Sequence, residues 1–316
     1  MPSVERRPER TIIGMNALAS PGTGAADLTW RRVRSGLAVP VGVDTAVPLE
    51  RADSLTARAA VISRLLAPDA VIARRTAAWI WGLDVLPPGV DERRWDVEVA
   101  LPGHGEAGDE LSDEDIVEEG GVKVTSMART ALDCARWLPR REAVAALDQF
   151  LRRGVDPASL AAMARGLAGS PNARRLRDVL RLGDAGAASP GESWTRVMVI
   201  DTGFPRPRTQ IPVNGPRAEP LFIDLGYEDY RVGLEYDGER HHTEARARAH
   251  DERRRRWLRK EEGWEIIPVT KNLLVRPAPY MEALLTALLR RGWNPDDATM
   301  NRIATRLARL NRRPPR

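Results

Sequence analysis

The chain has 316 residues, 42% of them hydrophobic and 29% charged, a length at which two or three domains with real cores are expected. No apolar run approaches the ~18 residues of a membrane helix. The first fifteen residues carry acids and lack the apolar stretch of a secretion signal, and a lone Cys134 excludes an internal disulfide and a cysteine-based zinc site. A reduced cytoplasm is the expected location. The formal charge is +5, and 46 of the 49 basic residues are arginine, the lysines being Lys123, Lys260 and Lys271. This bias has two readings. One is phosphate recognition by the planar guanidinium fork; the other is the codon bias of a GC-rich genome, which also accounts for the Ala, Gly and Pro excess and weighs more for the composition as a whole.

Residues 1–20 are polar, aperiodic and rich in Pro and Arg, and read as a disordered arm. Asp27–Val43 reads as a short helix, a turn at Gly36 and an apolar strand. Helical spacing of apolar residues follows at 56–66 and 74–83, closed by Pro87-Pro88-Gly89. Residues 95–102 alternate as a strand, 104–121 form an acidic loop, and 122–126 is a second strand. Helices are expected over about 127–137, 140–153, 157–167 and 173–183. The small-residue stretch 183–189 reads as a linker, so the main boundary is placed there: a mainly helical α+β region at 21–185, an α/β domain at 186–292 and a basic tail at 293–316 holding one amphipathic helix.

After Pro190 the order becomes helix (190–202, ended by Gly203), three strands (210–213, 221–227, 230–237), a long Arg-rich helix (244–262), a buried strand (264–270) and a closing helix (280–292). The second and third strands are joined by a tight turn with Glu228 and Asp229 at its centre. Alternation in Tyr230–Asp237 sends Gly233, Glu235 and Asp237 to one side. In the preceding strand Phe222 and Asp224 share a face, opposite Leu221, Ile223 and Leu225. As a hairpin the two strands can bring Asp224, Glu235 and Asp237 together. Converging carboxylates repel unless a cation or a basic partner neutralises them, and Mg²⁺ takes one or two carboxylates with waters and a substrate phosphate. A solvated acidic face is the plain alternative.

Three of the four histidines, His241, His242 and His250, fall within ten residues beside these acids, and histidine is suited to take a proton from water near neutral pH. Asp251, Arg254 and Leu258 share a helical stripe, so Arg254 either holds a phosphate oxygen or forms an ordinary ion pair. Ser189-Pro190-Gly191-Glu192 fits a capping box with Pro at the first helical position. Glu192 is therefore either a cap or an accessory acid at the site.

The run of Glu192, Asp224, Leu234-Glu235-Tyr236-Asp237-Gly238-x-x-His241, Asp251-x-x-Arg254 and Gly263-Trp264-x-Ile266-Ile267 resembles the endonuclease-like domain of unknown function in the very-short-patch-repair branch of the PD-(D/E)XK nucleases. The resemblance covers about 80 residues and implies a restriction-endonuclease-like α/β domain, a mixed central sheet flanked by helices. It further implies Asp224 and Glu235 as ligands of Mg²⁺ or Mn²⁺, and His241 near the histidine of that branch. The superfamily lysine two residues after the strand glutamate is Asp237 here. His241 as proton acceptor and Arg254 as charge stabiliser are the expected substitutes, and Arg240 and Arg254 the expected nucleic-acid contacts. Residues 1–185 resemble the N-terminal part of AbiEi-type antitoxins of abortive-infection systems, through Arg74-Arg75-Thr76-Ala77-Ala78 with Gly82-Leu83 and through Val124-Thr125-Ser126 with Arg129-Thr130-Ala131-Leu132-Asp133. That family carries an N-terminal winged-helix DNA-binding unit, of which Asp27–Val43 is a truncated candidate.

The function expected first is metal-dependent hydrolysis of nucleic acid, DNA in preference to RNA, with Asp224, Glu235, Asp237, His241 and Glu192 at the site, in a defence or toxin–antitoxin context. The alternative is a non-enzymatic DNA-binding regulator or antitoxin-like protein on a degenerate nuclease fold. Neither a G-x-x-x-x-G-K-[ST] loop nor a G-x-S-x-G elbow occurs, which argues against an NTPase and a serine hydrolase. Oligomeric state is left open.

Overall fold

The computed structural model describes residues 38–40, 46–48, 59, 70–86, 90, 95–100, 110–119, 122–217, 219–237 and 245–312, with side chains throughout except at 38–40, 46–48 and 245–252. Two compact units emerge, Met1–Asp133 and Cys134–Arg316.

In the first unit a short antiparallel pair joins β1 (Ala38–Pro40) to β2 (Ala46–Pro48), and the rest of the winged-helix candidate at 27–43 lies outside the described residues. A four-stranded mixed sheet follows. It comprises β3 (Val71–Ile72), β4 (Val99–Ala100), β5 (Ile116–Glu119) and β6 (Val122–Thr125), in the order β4-β3-β6-β5 with β3 and β6 parallel. Of the expected 95–102 strand, Val99–Ala100 are paired and 95–98 are not, while 101–102 and all of the expected 56–66 helix but Ala59 lie outside the described residues. Helix α1 (Arg74–Ile80) follows β3, and α2 (Met127–Trp137) begins one residue after β6. Ile72, Ala77, Val122 and Val124 form the apolar centre.

Polar side chains weld this unit together. The Arg75 guanidinium donates to the Val85 carbonyl at 2.6 Å, and the Arg75 N–H to Glu98 Oε2 at 2.8 Å. The Thr130 hydroxyl donates to the Thr125 carbonyl at 2.8 Å. Arg129 Nε sits 3.1 Å from both Asp133 oxygens, and its Nη1 reaches Asp115 at 3.2 Å and the Glu110 carbonyl at 2.7 Å. The strings that carry the antitoxin resemblance are therefore largely the hydrogen-bonding residues of a strand-to-helix junction. Arg129→Ala removes the ion pair to Asp133, which is 5% exposed, together with the bonds to Asp115 and the Glu110 carbonyl, and is expected to lower stability by about 2 kcal/mol, read as a lower denaturant midpoint at an unchanged slope.

In the second unit α2 runs on into α3 (Arg140–Arg152), α4 (Pro157–Gly166) and α5 (Ala173–Leu182). Asp156 caps α4 by accepting from the Ala158 and Ser159 N–H groups, with Pro157 at the first position. Next come α6 (Pro190–Thr202), β7 (Arg208–Asn214), β8 (Pro220–Tyr227) and β9 (Val232–Asp237). After these lie α7 (Ala245–Lys260), β10 (Glu265–Thr270), a short α8 (Lys271–Val275), α9 (Ala278–Arg290) and α10 (Asp297–Asn311). The sheet order is β10-β9-β8-β7, with β10 parallel to β9 and the other pairs antiparallel. The parallel pair requires a crossover, and α7 supplies it.

This sheet is covered on both faces, as a buried parallel pair requires. Val199 of α6, Met281 and Leu284 of α9, and Ile303 and Leu307 of α10 pack with Leu225, Leu234, Ile267 and Val269 on one side. Leu258 of α7 and Trp264 pack with Ile211, Val213, Ile223 and Ile266 on the other. Adjacent Ile266 and Ile267 fall on opposite faces, as alternation requires.

Two expectations change. Helix α10, expected in a basic tail, buries Ile303 and Leu307 in the core. The stretch 183–189 is no free linker. Arg196 of α6 pairs with Asp148 of α3 at 2.7 Å with both side chains fully buried, Arg196 also donates to the Leu182 carbonyl at 2.6 Å, and the Asp184 N–H donates to Asp148 at 2.7 Å. The two compact units meet inside α2, at 133/134.

Candidate functional site

The site is built where β8 and β9 part. Their ladder runs from Tyr227↔Val232 to Leu225↔Leu234 and stops there. One step further, Asp224 comes level with Glu235, and the Tyr236 N–H donates to the Asp224 carboxylate at 2.8 Å. The other edge of β8 is irregular at the same level. Gln210, opposite Asp224 on β7, has φ of 46°, a left-handed conformation that breaks the pleat. Ile223 and Leu225, two residues apart, consequently lie in cores on opposite faces of the sheet. Asp224 sits at that switch.

Gly191 lets the first turn of α6 approach this end of β9, since a Cβ there would come within 2.0 Å of the Tyr236 ring. Glu192 follows directly and is 6% exposed. Its carboxylate accepts from the Ala188 N–H at 2.8 Å, the Ser189 hydroxyl at 2.9 Å and the Gln210 side-chain amide at 3.0 Å. The expected capping box is therefore present in a modified form, reaching one residue beyond the cap, and it ties helix to sheet through Gln210.

Glu235 is 7% exposed and is held from α7. Arg254 Nη1 donates to its Oε1 at 2.5 Å, and Arg255 Nε lies 3.8 Å from its Oε2. Arg254 also donates to the Phe222 carbonyl, spanning the gap where the strands separate. Arg255 Nη2 reaches Asp237 at 3.2 Å. Burial pushes the Asp224 carboxyl up to about 7, with the neighbouring Glu192 and Glu235 charges adding to the rise, while the Tyr236 N–H and Arg254 oppose it.

The structure thus brings Glu192, Asp224 and Glu235 together and places Arg254 among them. Asp237 pairs with Arg255. His241 and Arg240 lie outside the described residues, as do the side chains of Asp251 and His250. Gln210, Arg255 and the Tyr236 N–H are site features the sequence reading missed. Register alone reveals Gln210 and Tyr236. Arg255 neighbours Arg254 in sequence but lies one residue off the stripe of Asp251, Arg254 and Leu258.

A cation here would find two hard carboxylates on facing strand positions, one of them short of positive charge, and the donor chemistry suits Mg²⁺ or Mn²⁺. Asp224 and Glu235 would hold it, with waters and phosphate oxygens supplying the remaining ligands. No group of three or more acid, histidine or cysteine side chains placed to hold a metal occurs among the described residues.

Comparison with known proteins places this geometry in context. Residues 70–182 match the AbiEi antitoxin C-terminal domain. Two curated Mycobacterium tuberculosis proteins, Uncharacterized protein MT2308 of strain CDC 1551 and Uncharacterized protein Rv2248 of strain H37Rv, are each 32% identical over 250 residues, covering 75% of this chain and 88% of theirs. The chain belongs to their family. Within that family it carries the antitoxin match from β3 to the end of α5, before the acid-bearing sheet begins. The match corrects one expectation, because the strings at 74–83 and 124–133 fall within the stretch similar to the antitoxin C-terminal domain and not to an N-terminal part. No solved structure matches the chain at a significant level. No described helix is long and apolar enough to cross a membrane.

Proposed function

We propose that residues 186–292 form a restriction-endonuclease-like domain that hydrolyses phosphodiester bonds of nucleic acid, DNA in preference to RNA, with Mg²⁺ or Mn²⁺, in an abortive-infection or toxin–antitoxin setting. The observation that carries this is the crowding of Asp224 by Glu192 and Glu235 in a half-buried gap between splayed strands. Such crowding costs stability unless positive charge enters with the ligand. The helix, three-strand meander, crossover helix and parallel strand suit the proposed fold.

In this reading a bound cation supplies polarisation of the scissile phosphate. Asp224 and Glu235 provide its protein ligands. Glu192 is a positioning residue, holding Gln210 at the kink beside Asp224. Arg255, between Glu235 and Asp237, brings positive charge to the place where the superfamily has its lysine, available to phosphate oxygens. His241 takes the proton from the attacking water, and Arg240 contacts the backbone.

A second reading is favoured by one observation: Arg254 and Arg255 already occupy Glu235. On a degenerate nuclease fold these arginines would be permanent counter-ions, and the protein a DNA-binding, antitoxin-like regulator. Supercoiled plasmid incubated with Mg²⁺ or Mn²⁺ separates the two. Wild type is expected to nick DNA, and Asp224→Ala and Glu235→Ala to lose at least about a hundredfold in rate. Identical background in all three proteins refutes hydrolysis. Salt-sensitive DNA binding without divalent ions, surviving both substitutions, would favour the regulator.

A further inference from the structure

Away from the acid cluster, α3, α4 and α5 line a half-open cleft of about 470 Å³, within the size range of small-molecule sites. Its wall is apolar: Leu147, Leu151, Leu160, Ala161, Ala164 and Leu180. Gly183 closes one end, where a Cβ would collide with Leu151 at 2.8 Å and Leu147 at 2.9 Å. The polar side chains lining the cleft are Arg165 from α4, and Arg177 and Arg181 from α5; no acid lines it. Arg177 and Arg181 are one helical turn apart and share a face. All three arginines are exposed, so their heads stand at the mouth while their stems can cover the apolar wall. The acids closest to them in sequence are engaged elsewhere, Asp178 with Arg140 and Asp184 with Arg206.

An apolar cleft whose rim carries only positive charge is complementary to a molecule with an apolar body and an anionic head. We infer that this cleft binds a single-chain amphiphilic anion, a carboxylate or phosphate monoester on an alkyl chain, with the chain between α3 and α4 and the head against Arg177 and Arg181. The cleft is too small for the run of anchors that a docked partner helix presents over several turns. Its guanidinium pair suits a bidentate oxyanion.

Isothermal titration of the full chain with sodium decanoate, monodecyl phosphate and decan-1-ol, each below its aggregation concentration, tests the assignment. Decanoate and decyl phosphate are expected to bind saturably with one site per chain, at least about tenfold tighter than decanol. Arg177→Gln with Arg181→Gln should remove that preference while leaving thermal unfolding unchanged, and Ala161→Phe should abolish binding by filling the cleft. No saturable binding overturns the inference. Equal affinity for decanol, or anion binding that survives the double arginine substitution, overturns it as well. The surface arginine variant keeps the test decisive if Ala161→Phe misfolds.

Discussion

Asp148→Ala is expected to destabilise the Cys134–Arg316 unit by about 3–5 kcal/mol, the cost of leaving a buried charge without its partner. Arg196 and Asp148 are both inaccessible to solvent, and Asp148 also accepts the Asp184 N–H. Burial lifts the Asp148 carboxyl above the usual range, with Arg196 opposing, so desolvation outweighs the attraction of the pair. An apolar replacement of both partners, Asp148→Leu with Arg196→Met, should therefore recover much of the loss. Chemical unfolding of the single and double variants measures both effects. The consequence is architectural, because this pair joins α3, the last stretch of the antitoxin match and the first turns of α6, which carry Glu192. A change of under about 0.5 kcal/mol for Asp148→Ala would mean that 183–189 is the loose joint its composition suggests.

Asp224→Asn is expected to stabilise the protein at pH 8 in the absence of divalent ions, by an amount on the order of 2–4 kcal/mol. The sign follows from proton binding. Asp224 ionises near 7 in the folded state and near 4 when unfolded. Between those values the folded protein holds more protons than the unfolded chain, so wild-type stability falls as pH rises from about 4 through 7. Asparagine can keep the Tyr236 N–H bonded through its carbonyl oxygen and carries no charge, so the variant should show no such fall. The two proteins should converge in stability below about pH 4. Millimolar Mg²⁺ should narrow the gap at pH 8 by stabilising wild type alone. Denaturant melts from pH 4 to 8 read all of this, and a variant less stable than wild type across the range would contradict it.

Much of the second unit was legible because its signals are local. Ser189-Pro190 and Gly203 bracket α6, Asp156-Pro157 starts α4, and the alternation of β9 puts Glu235 opposite Leu234 in direction. What could not be read depends on non-local geometry. Alternation in β8 assigns Ile223 and Leu225 one face, but the kink at Gln210 sends them into different cores. The capture of Glu235 by Arg254 and Arg255 is equally invisible, since an arginine-rich helix reads as a solvated face until its crossover is placed. The stretch 183–189 looked like a linker because small residues serve flexible joints and close packing alike. Here Gly183 lies against Leu147 and Leu151, which only a residue without a side chain permits.

The central claim is that Asp224 and Glu235 form a cation site and not merely an arginine-neutralised acid cluster. Titration of the metal-free protein with Mn²⁺, followed by the paramagnetic relaxation of water protons, tests it without requiring turnover. Wild type should bind one ion per chain, Asp224→Asn and Glu235→Gln should lose that site, and Arg254→Gln should bind more tightly because it frees a Glu235 oxygen. Unchanged Mn²⁺ binding by the two acid variants, or no binding by wild type and Arg254→Gln alike, would contradict the account.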